Sequence, residues 1–72
     1  MVEASVKDSL LEAQSALANS RIFDLRCLRV EECDGNLVIT GSVSLFYYKQ
    51  VAQEIVRSIC QGVEVINSIQ VR

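Results

Sequence analysis

The sequence predicts an α+β fold: a two-layer sandwich in which two helices cover one face of a three-stranded mixed sheet. A chain of 72 residues, 50% of them hydrophobic, has room for one core. Two β-rich segments flank Asp34 and Gly35, the strongest short-range signal for a two-residue hairpin turn. Apolar residues recur at helical spacing before and after this hairpin, and apolar and polar residues alternate in the last segment. The predicted order is therefore α-β-β-α-β, in a single domain over residues 1–72.

The two helices are predicted over residues 3–18 and 45–60. The first has apolar residues at helical spacing, which are Val2, Val6, Leu10, Ala13 and Leu17. The second has a core stripe of Tyr48, Ala52, Ile55 and Ile59, flanked by Val51 and Val56. Ser44 is placed to cap the second helix, and Gly62 is placed to end it because glycine accepts a left-handed cap conformation.

The first two strands are predicted over residues 25–33 and 36–43, joined by a type I′ turn. Counting outward from that turn pairs Glu32 with Leu37 and Val30 with Ile39. Leu28 then lies opposite Gly41, where the missing side chain leaves room for close packing. One face of the hairpin is apolar, and it consists of Leu28, Val30, Leu37, Ile39 and Val43.

A third strand is predicted over residues 63–71, where apolar and polar residues alternate. A right-handed crossover through the second helix is expected to bring it to the sheet. Asn67 falls on the apolar face, so its amide needs partners, and a structural bond to a loop backbone is favoured over a ligand-binding role. The connector at residues 21–24 carries Ile22 and Phe23, which we expect to cover the core beneath the sheet edge.

The composition argues against several classes of function. A net charge of −2 and seven scattered basic residues argue against a nucleic-acid partner. The chain has no His, no C-x-x-C motif and no Cys/His cluster, so we expect no metal and no cofactor. Glu31 and Glu32 are adjacent on a strand and point to opposite faces, so they cannot act as a catalytic pair. We therefore expect a protein that is not an enzyme.

The cysteines and the hydropathy pattern bear on location. Three cysteines are an odd number, and Cys27 and Cys33 are too far apart along one strand to form a disulfide. Free thiols favour a reducing compartment. No segment is apolar over the ~20 residues of a membrane span, and no signal peptide is visible. These observations favour a cytoplasmic location.

The order of several motifs resembles that of a BON domain. The motifs are DGNLVITGSV with Gly41 after the alternating strand, the helix string FYYKQVAQEIV, the pair Gly62-Val63, and the ending Val65, Asn67, Ile69 and Val71. They extend over roughly residues 6–71, and the string FYYKQVAQE looks like a bacterial subset of these domains that occurs as single small modules. The resemblance implies a non-enzymatic module that is associated with cell envelopes and binds phospholipid. Many members of the family are secreted or periplasmic and occur in tandem, whereas this sequence contains one copy.

Two aromatic residues at the start of the second helix are the candidate membrane contact. Phe46 and Tyr47 lie off the core stripe and beside Lys49, so their rings can enter a lipid interface while the cation meets anionic headgroups. A competing interpretation packs one or both rings against Ile22 or Phe23 at the rim of the core. A basic patch extends the candidate site, and it consists of Arg21, Arg26 and Arg29.

Two alternatives remain open at the level of the sequence. Arg29 can pair with Glu31 along its strand instead of joining a basic patch. The open face of the sheet, made partly apolar by Val38 and Ile66, or an exposed edge strand can bind a protein partner or a second copy of the chain. It can equally be the half-exposed face that is common in two-layer folds. Lipid binding through cations should weaken with salt, whereas an apolar dimer contact should not.

Overall fold

The computed structural model describes residues 6–72, so the predicted helix start at residues 3–5 lies outside the described residues. Its elements are α1 (Val6–Ala18), α2 (Phe23–Arg26), β1 (Arg29–Cys33), β2 (Asn36–Thr40), β3 (Ser42–Val43), α3 (Phe46–Ile59), β4 (Val65–Asn67) and β5 (Gln70–Val71). The α+β class, the mixed three-stranded sheet and the predicted order of the main elements are confirmed. The short helix α2 was not predicted.

The hairpin has the predicted turn and register. Asp34 and Gly35 have φ angles of 52° and 82°, the two positive values that a type I′ turn requires. β1 and β2 are antiparallel, with Val30 opposite Ile39 and Glu32 opposite Leu37. The predicted apolar face is buried, and it carries Leu28, Val30, Leu37, Ile39 and Val43. The turn therefore decides which side chains enter the core.

The sheet has the order β1-β2-β4, in which β2 and β4 are parallel, and β3 and β5 form a second parallel pair. The register is the same in both pairs, since Leu37 lies opposite Val65 and Val43 opposite Val71. Each strand path has a gap, between β2 and β3 on one side and between β4 and β5 on the other. The Gln70 amide donates to the Gly41 carbonyl at 2.9 Å, so the backbone pairing continues across these gaps. The predicted strands 36–43 and 63–71 thus follow the right path, but each is interrupted.

Gly41 provides the physical reason for the interruption between β2 and β3. Its φ of +125° is a backbone conformation that side-chain-bearing residues rarely adopt. A Cβ atom at this position would lie 2.8 Å from Cδ2 of Leu28. The close packing expected between these two residues is therefore present, and the backbone leaves regular strand geometry to achieve it.

The segment before β1 corrects the prediction of a strand from residue 25. Residues Phe23–Arg26 form one helical turn, and the Leu28 amide donates to the Leu25 carbonyl at 3.2 Å. Leu25 is fully buried, so the turn is anchored by a single apolar side chain. Ile22 packs against the core as expected, whereas Phe23 is exposed. The expectation that Phe23 covers the core is wrong because the helical turn directs Leu25 inward in its place.

Helix α3 differs from its prediction at the cap and in the position of its buried stripe. The N-cap residue is Leu45, and no side chain caps the helix, so the predicted Ser44 cap is wrong. Ala52 is buried as predicted, but the other buried positions are Val56 and Cys60, while the remaining stripe residues are half-buried, and these are Tyr48, Ile55 and Ile59. Gly62 has a φ of +86° just beyond the helix, in agreement with its predicted role in the turn.

Helices α1 and α3 lie antiparallel on the apolar face of the sheet. The thiol of Cys60, after α3, donates to the carbonyl of Ser9 in the first half of α1, with sulfur and oxygen 3.5 Å apart. Both helices contribute to the core, which contains Ala13, Leu17, Leu25, Leu28, Val30, Leu37, Ile39, Val43, Ala52, Val56, Cys60 and Ile69. Gln14 joins α1 to the sheet edge, since its side chain bonds the Leu28 carbonyl and the Val30 amide.

Candidate functional site

The chain directions bring several segments to one end of the domain, which we call the α2 end. It contains the C-terminal end of α1, α2, the start of β1, residues 42–49 and Arg72. The Arg72 amide donates to the Val43 carbonyl at 2.8 Å, which places the end of β5 there as well. The opposite end, which we call the hairpin end, contains the turn at Asp34 and Gly35, the start of α1 and the end of α3.

Four large apolar side chains are exposed at the α2 end, and we call them the apolar tip. They are Phe23 (66% exposed), Leu45 (52%), Phe46 (58%) and Tyr47 (67%). Their shared location follows from the contact between α2 and the segment that precedes α3. A cluster of exposed large apolar groups is the kind of surface that marks contact with a membrane or a protein.

A carboxylate connects the two segments that carry the apolar tip. Oδ2 of Asp24 accepts hydrogen bonds from the amide and from the hydroxyl of Ser44, each 2.7 Å long. Arg72 approaches the same oxygen with Nη2 at 3.7 Å. The hydroxyl bond, the amide bond and, to a smaller extent, the Arg72 charge hold the pKa of Asp24 below its ordinary value, although partial burial opposes them. Asp24 is therefore ionised over the physiological pH range.

Basic residues share the α2 end with the apolar tip. The guanidinium carbon of Arg26 lies 5.3 Å from the centre of the Phe23 ring, within the range of a cation–π contact. The other basic residues of the α2 end are Arg21, Arg29, Lys49 and Arg72. Five of the chain's seven Lys and Arg residues thus lie at this end.

Acidic residues have the opposite distribution. The hairpin end carries Asp8, Glu32, Asp34 and Glu64, while Glu31 lies at the middle of β1. Among the described residues, Asp24 is the one acidic side chain of the α2 end. The domain is therefore electrically polar along its length, although its formal net charge is only −2. The fold brings basic residues that are scattered in sequence to one end. The periodicity of the individual helices and strands did not indicate this separation of charge.

The predicted contact residues occupy different environments. Phe46 and Tyr47 are exposed, so neither ring is buried in the rim of the core as the competing interpretation required. The rings of Tyr47 and Tyr48 are 6.0 Å apart at 54°, which connects the exposed ring to a half-buried one. Lys49 is half-buried. Sequence reasoning missed Phe23 and Leu45 as members of the exposed cluster, because both were isolated apolar residues in predicted connecting or helical segments.

The remaining basic candidates also lie at the α2 end. Arg21 and Arg26 are exposed on either side of Phe23, and Arg29 is exposed at the start of β1. Arg29 and Glu31, both in the described part of the chain, do not form the ion pair that was the alternative for Arg29. The fold therefore leaves all three guanidinium groups available to an external anion.

Asn67 has a structural set of partners. Its amide nitrogen donates to the Lys49 carbonyl at 3.1 Å and to Oε1 of Gln53 at 2.9 Å, and its oxygen accepts from the Ile69 amide at 3.1 Å. The predicted bond to a loop backbone is present, since Ile69 lies in the gap between β4 and β5, and a helix carbonyl is a further main-chain partner. Asn67 thereby ties α3 to the interruption between β4 and β5.

The cysteines form no candidate site. Cys27 and Cys33 are exposed and free, and Cys60 is free and buried. Burial raises the pKa of the Cys60 thiol, more than the bond to Ser9 lowers it, so this thiol is protonated at neutral pH. Among residues 8–72, no three His, Cys, Asp or Glu side chains are grouped as metal ligands. Within the same part of the chain, no helix is long and apolar enough to cross a bilayer.

Comparison with known proteins does not assign a family: no protein-family model matches the chain, and a search of the curated proteins finds no match. The resemblance to BON domains therefore stays a prediction from the order of the motifs.

Proposed function

We propose that this chain is a non-enzymatic binding module of the BON type that docks on an anionic phospholipid surface through the apolar tip. The observation that carries the proposal is the group of exposed Phe23, Leu45, Phe46 and Tyr47 side chains, which lies at the basic end of the domain with Arg26 against Phe23. Aromatic and aliphatic side chains beside Lys and Arg are the composition that binds at a bilayer interface.

The charge distribution favours an anionic surface over a neutral one. A Lys or Arg near an anionic leaflet contributes about 1 kcal/mol of binding free energy, and this contribution decays within a Debye length. Arg26 lies against the Phe23 ring, and Arg21 and Arg29 belong to the same end of the domain, so all three can contribute to binding. The acidic hairpin end is repelled by the same surface, so the domain approaches with the α2 end first.

Vesicle co-sedimentation tests the proposal. Wild-type protein is mixed with phosphatidylcholine vesicles, with or without phosphatidylserine, at low and at moderate salt. We expect binding to the anionic vesicles that weakens as salt is added. The double variant Phe46→Ser/Tyr47→Ser should bind at least tenfold more weakly, because two interfacial rings are lost.

Leu11→Ser is the matched control for this experiment. Leu11 is 66% exposed, but it lies on the solvent side of α1 and outside the apolar tip. Its replacement should leave vesicle binding unchanged. Equal losses in the control and in the double variant, or no binding of the wild type to anionic vesicles, would contradict the proposal.

A second candidate function is a protein-interaction module without lipid affinity, which binds its partner through the open face of the sheet. The observation that favours it is the pairing of Val38 with Ile66, which leaves Ile66 40% exposed beside another apolar residue. Under this alternative, the chain binds a protein or forms a homodimer, and the contact is insensitive to salt. Light scattering after size exclusion measures this: a dimeric mass that Ile66→Glu reduces to a monomer supports the alternative, and a monomeric wild type excludes the homodimer.

A further inference from the structure

We propose that Asp24 is a positioning residue that joins the two halves of the apolar tip, so that binding to an anionic surface depends on a carboxylate whose own charge opposes it. The inference rests on the proposed function and concerns how the same site is assembled. It follows from the hydrogen bonds of Asp24 and from its place among cations.

The two halves of the apolar tip come from separate parts of the chain. Phe23 and the Arg26 that stacks on it belong to α2, whereas Leu45, Phe46 and Tyr47 precede or begin α3. Twenty positions separate the residues that connect these halves, Asp24 and Ser44. Their relative position is therefore decided by tertiary contacts.

Neither half has strong local support. A helix of four residues is too short to be stable alone, and Leu25 is the buried side chain that anchors it. The start of α3 has no side-chain cap, because its N-cap residue is Leu45, whose side chain has no acceptor atom. The hydroxyl of Ser44, one residue earlier, donates to Asp24. Oδ2 of Asp24 thus takes both donors of Ser44 at 2.7 Å, the short distance of charge-assisted bonds.

The charge of Asp24 makes the proposal testable by the sign of an effect. One unit of charge near an anionic leaflet changes affinity roughly fivefold. If Asp24 acted on the surface only through its charge, its removal should tighten binding. If Asp24 joins the two halves of the tip, removal of its acceptor oxygen should weaken binding in spite of the gain in positive charge.

Three variants separate these effects in co-sedimentation with phosphatidylserine-containing vesicles. Asp24→Ala removes the acceptor and the charge, Asp24→Asn removes the charge but keeps an acceptor oxygen, and Glu54→Ala removes an exposed charge from the middle of α3. We expect Asp24→Ala to bind at least threefold more weakly than wild type. Asp24→Asn should bind as tightly as wild type or more tightly, which is rescue by the conservative variant, and Glu54→Ala should not weaken binding.

The opposite pattern would overturn the proposal. Asp24→Ala binding as tightly as Glu54→Ala, or Asp24→Asn losing as much as Asp24→Ala, is incompatible with a role for the acceptor oxygen. If Asp24→Ala fails to fold, as judged by circular dichroism, Ser44→Ala takes its place because it removes one donor and no charge. Weaker binding of Ser44→Ala then supports the proposal, and unchanged binding overturns it.

Amide chemical shifts of the free protein separate this proposal from the proposed function. We call the two hydrogen bonds from Ser44 to Asp24 the junction. Its loss in Asp24→Ala should shift the amide resonances of Phe46 and Tyr47, whereas Asp24→Asn should leave these resonances nearly unchanged. If these shifts occur but the wild type binds no vesicles, the junction stands and the lipid function fails. If the wild type binds vesicles and the shifts are absent, the junction fails and the lipid function stands.

Discussion

At the scale of single residues, Asp24 combines a structural role with a pH dependence. Its carboxylate accepts two bonds from Ser44 and lies 3.7 Å from the Arg72 guanidinium. Bonds to the charged form lower the pKa of Asp24 in the folded state. A lowered folded-state pKa means that the carboxylate stabilises the fold above the unfolded-state pKa, which is about 4, and that this contribution is lost as the pH falls through the folded-state pKa.

Asp24→Asn should therefore flatten the acid limb of the stability profile. The measurement is the free energy of unfolding in urea at several pH values between 2.5 and 7. Wild type should lose more stability below about pH 4 than the variant does, whereas the difference between the two proteins should be constant above about pH 5. Ser44→Ala should reduce the same pH dependence in part, because one donor remains. An unchanged acid limb in Asp24→Asn would show that other groups produce it.

At the scale of elements, Gly41 separates β2 from β3 and allows the residue that precedes β1, Leu28, to pack closely against the backbone there. The hairpin register was predictable because a two-residue turn sets every later pair and one buried face sets the alternation. The strand break was only partly predictable: the contact between Gly41 and Leu28 follows from the register, but the positive φ depends on the packed backbone. Helix α2 was missed because its single turn has no periodic pattern.

Gly41→Ala should destabilise the fold more than Gly35→Ala. Both glycines have positive φ, so both variants pay the strain of a left-handed backbone, of order 1–3 kcal/mol. An added Cβ at Gly41 also meets Leu28 at 2.8 Å, whereas no atom lies within 4 Å of a Cβ at Gly35. We expect an additional 1–3 kcal/mol, order of magnitude, from this overlap. Thermal and urea unfolding measure both variants, and equal losses would show that the close contact costs nothing.

At the scale of the whole molecule, the separation of charge between the two ends is the property most relevant to function. Arg26 lies at the α2 end beside Phe23, whereas Arg57 lies in the last turn of α3 toward the hairpin end. The two residues have the same formal charge and differ in their distance from the apolar tip. They therefore distinguish an oriented approach to a surface from attraction that depends on net charge alone.

Arg26→Gln should weaken binding to phosphatidylserine-containing vesicles about fivefold and reduce the salt dependence, since one cation near the surface is lost. Arg57→Gln is the matched control, with the same change in net charge, and should alter binding less than twofold. The measurement is the partition coefficient of each variant at three salt concentrations. Equal losses would indicate that the domain has no preferred orientation at the surface.

The candidate site was predictable in its parts. Phe46, Tyr47 and Lys49 were recognisable because a helical period separates the core stripe from the other face. Arg21, Arg26 and Arg29 were recognisable as neighbours in sequence. Phe23 was assigned to the core because the local pattern does not show that Leu25, in the same helical turn, enters the core instead. Ser44 was assigned to a helix cap because the local pattern does not show that Leu45 is the cap residue and that the Ser44 hydroxyl bonds Asp24 in a distant segment.

The local order of the chain decides the α+β class, the hairpin, its register and the composition of the buried face, because turn chemistry and periodicity act between residues that are close in sequence. The joining of residues 21–29, 42–49 and Arg72 into one basic end with an apolar tip depends on contacts between distant segments. The bonds from Ser44 to Asp24 are such contacts. Charges and rings that are scattered in sequence become one surface because the sheet and its two helices return the chain to the same end.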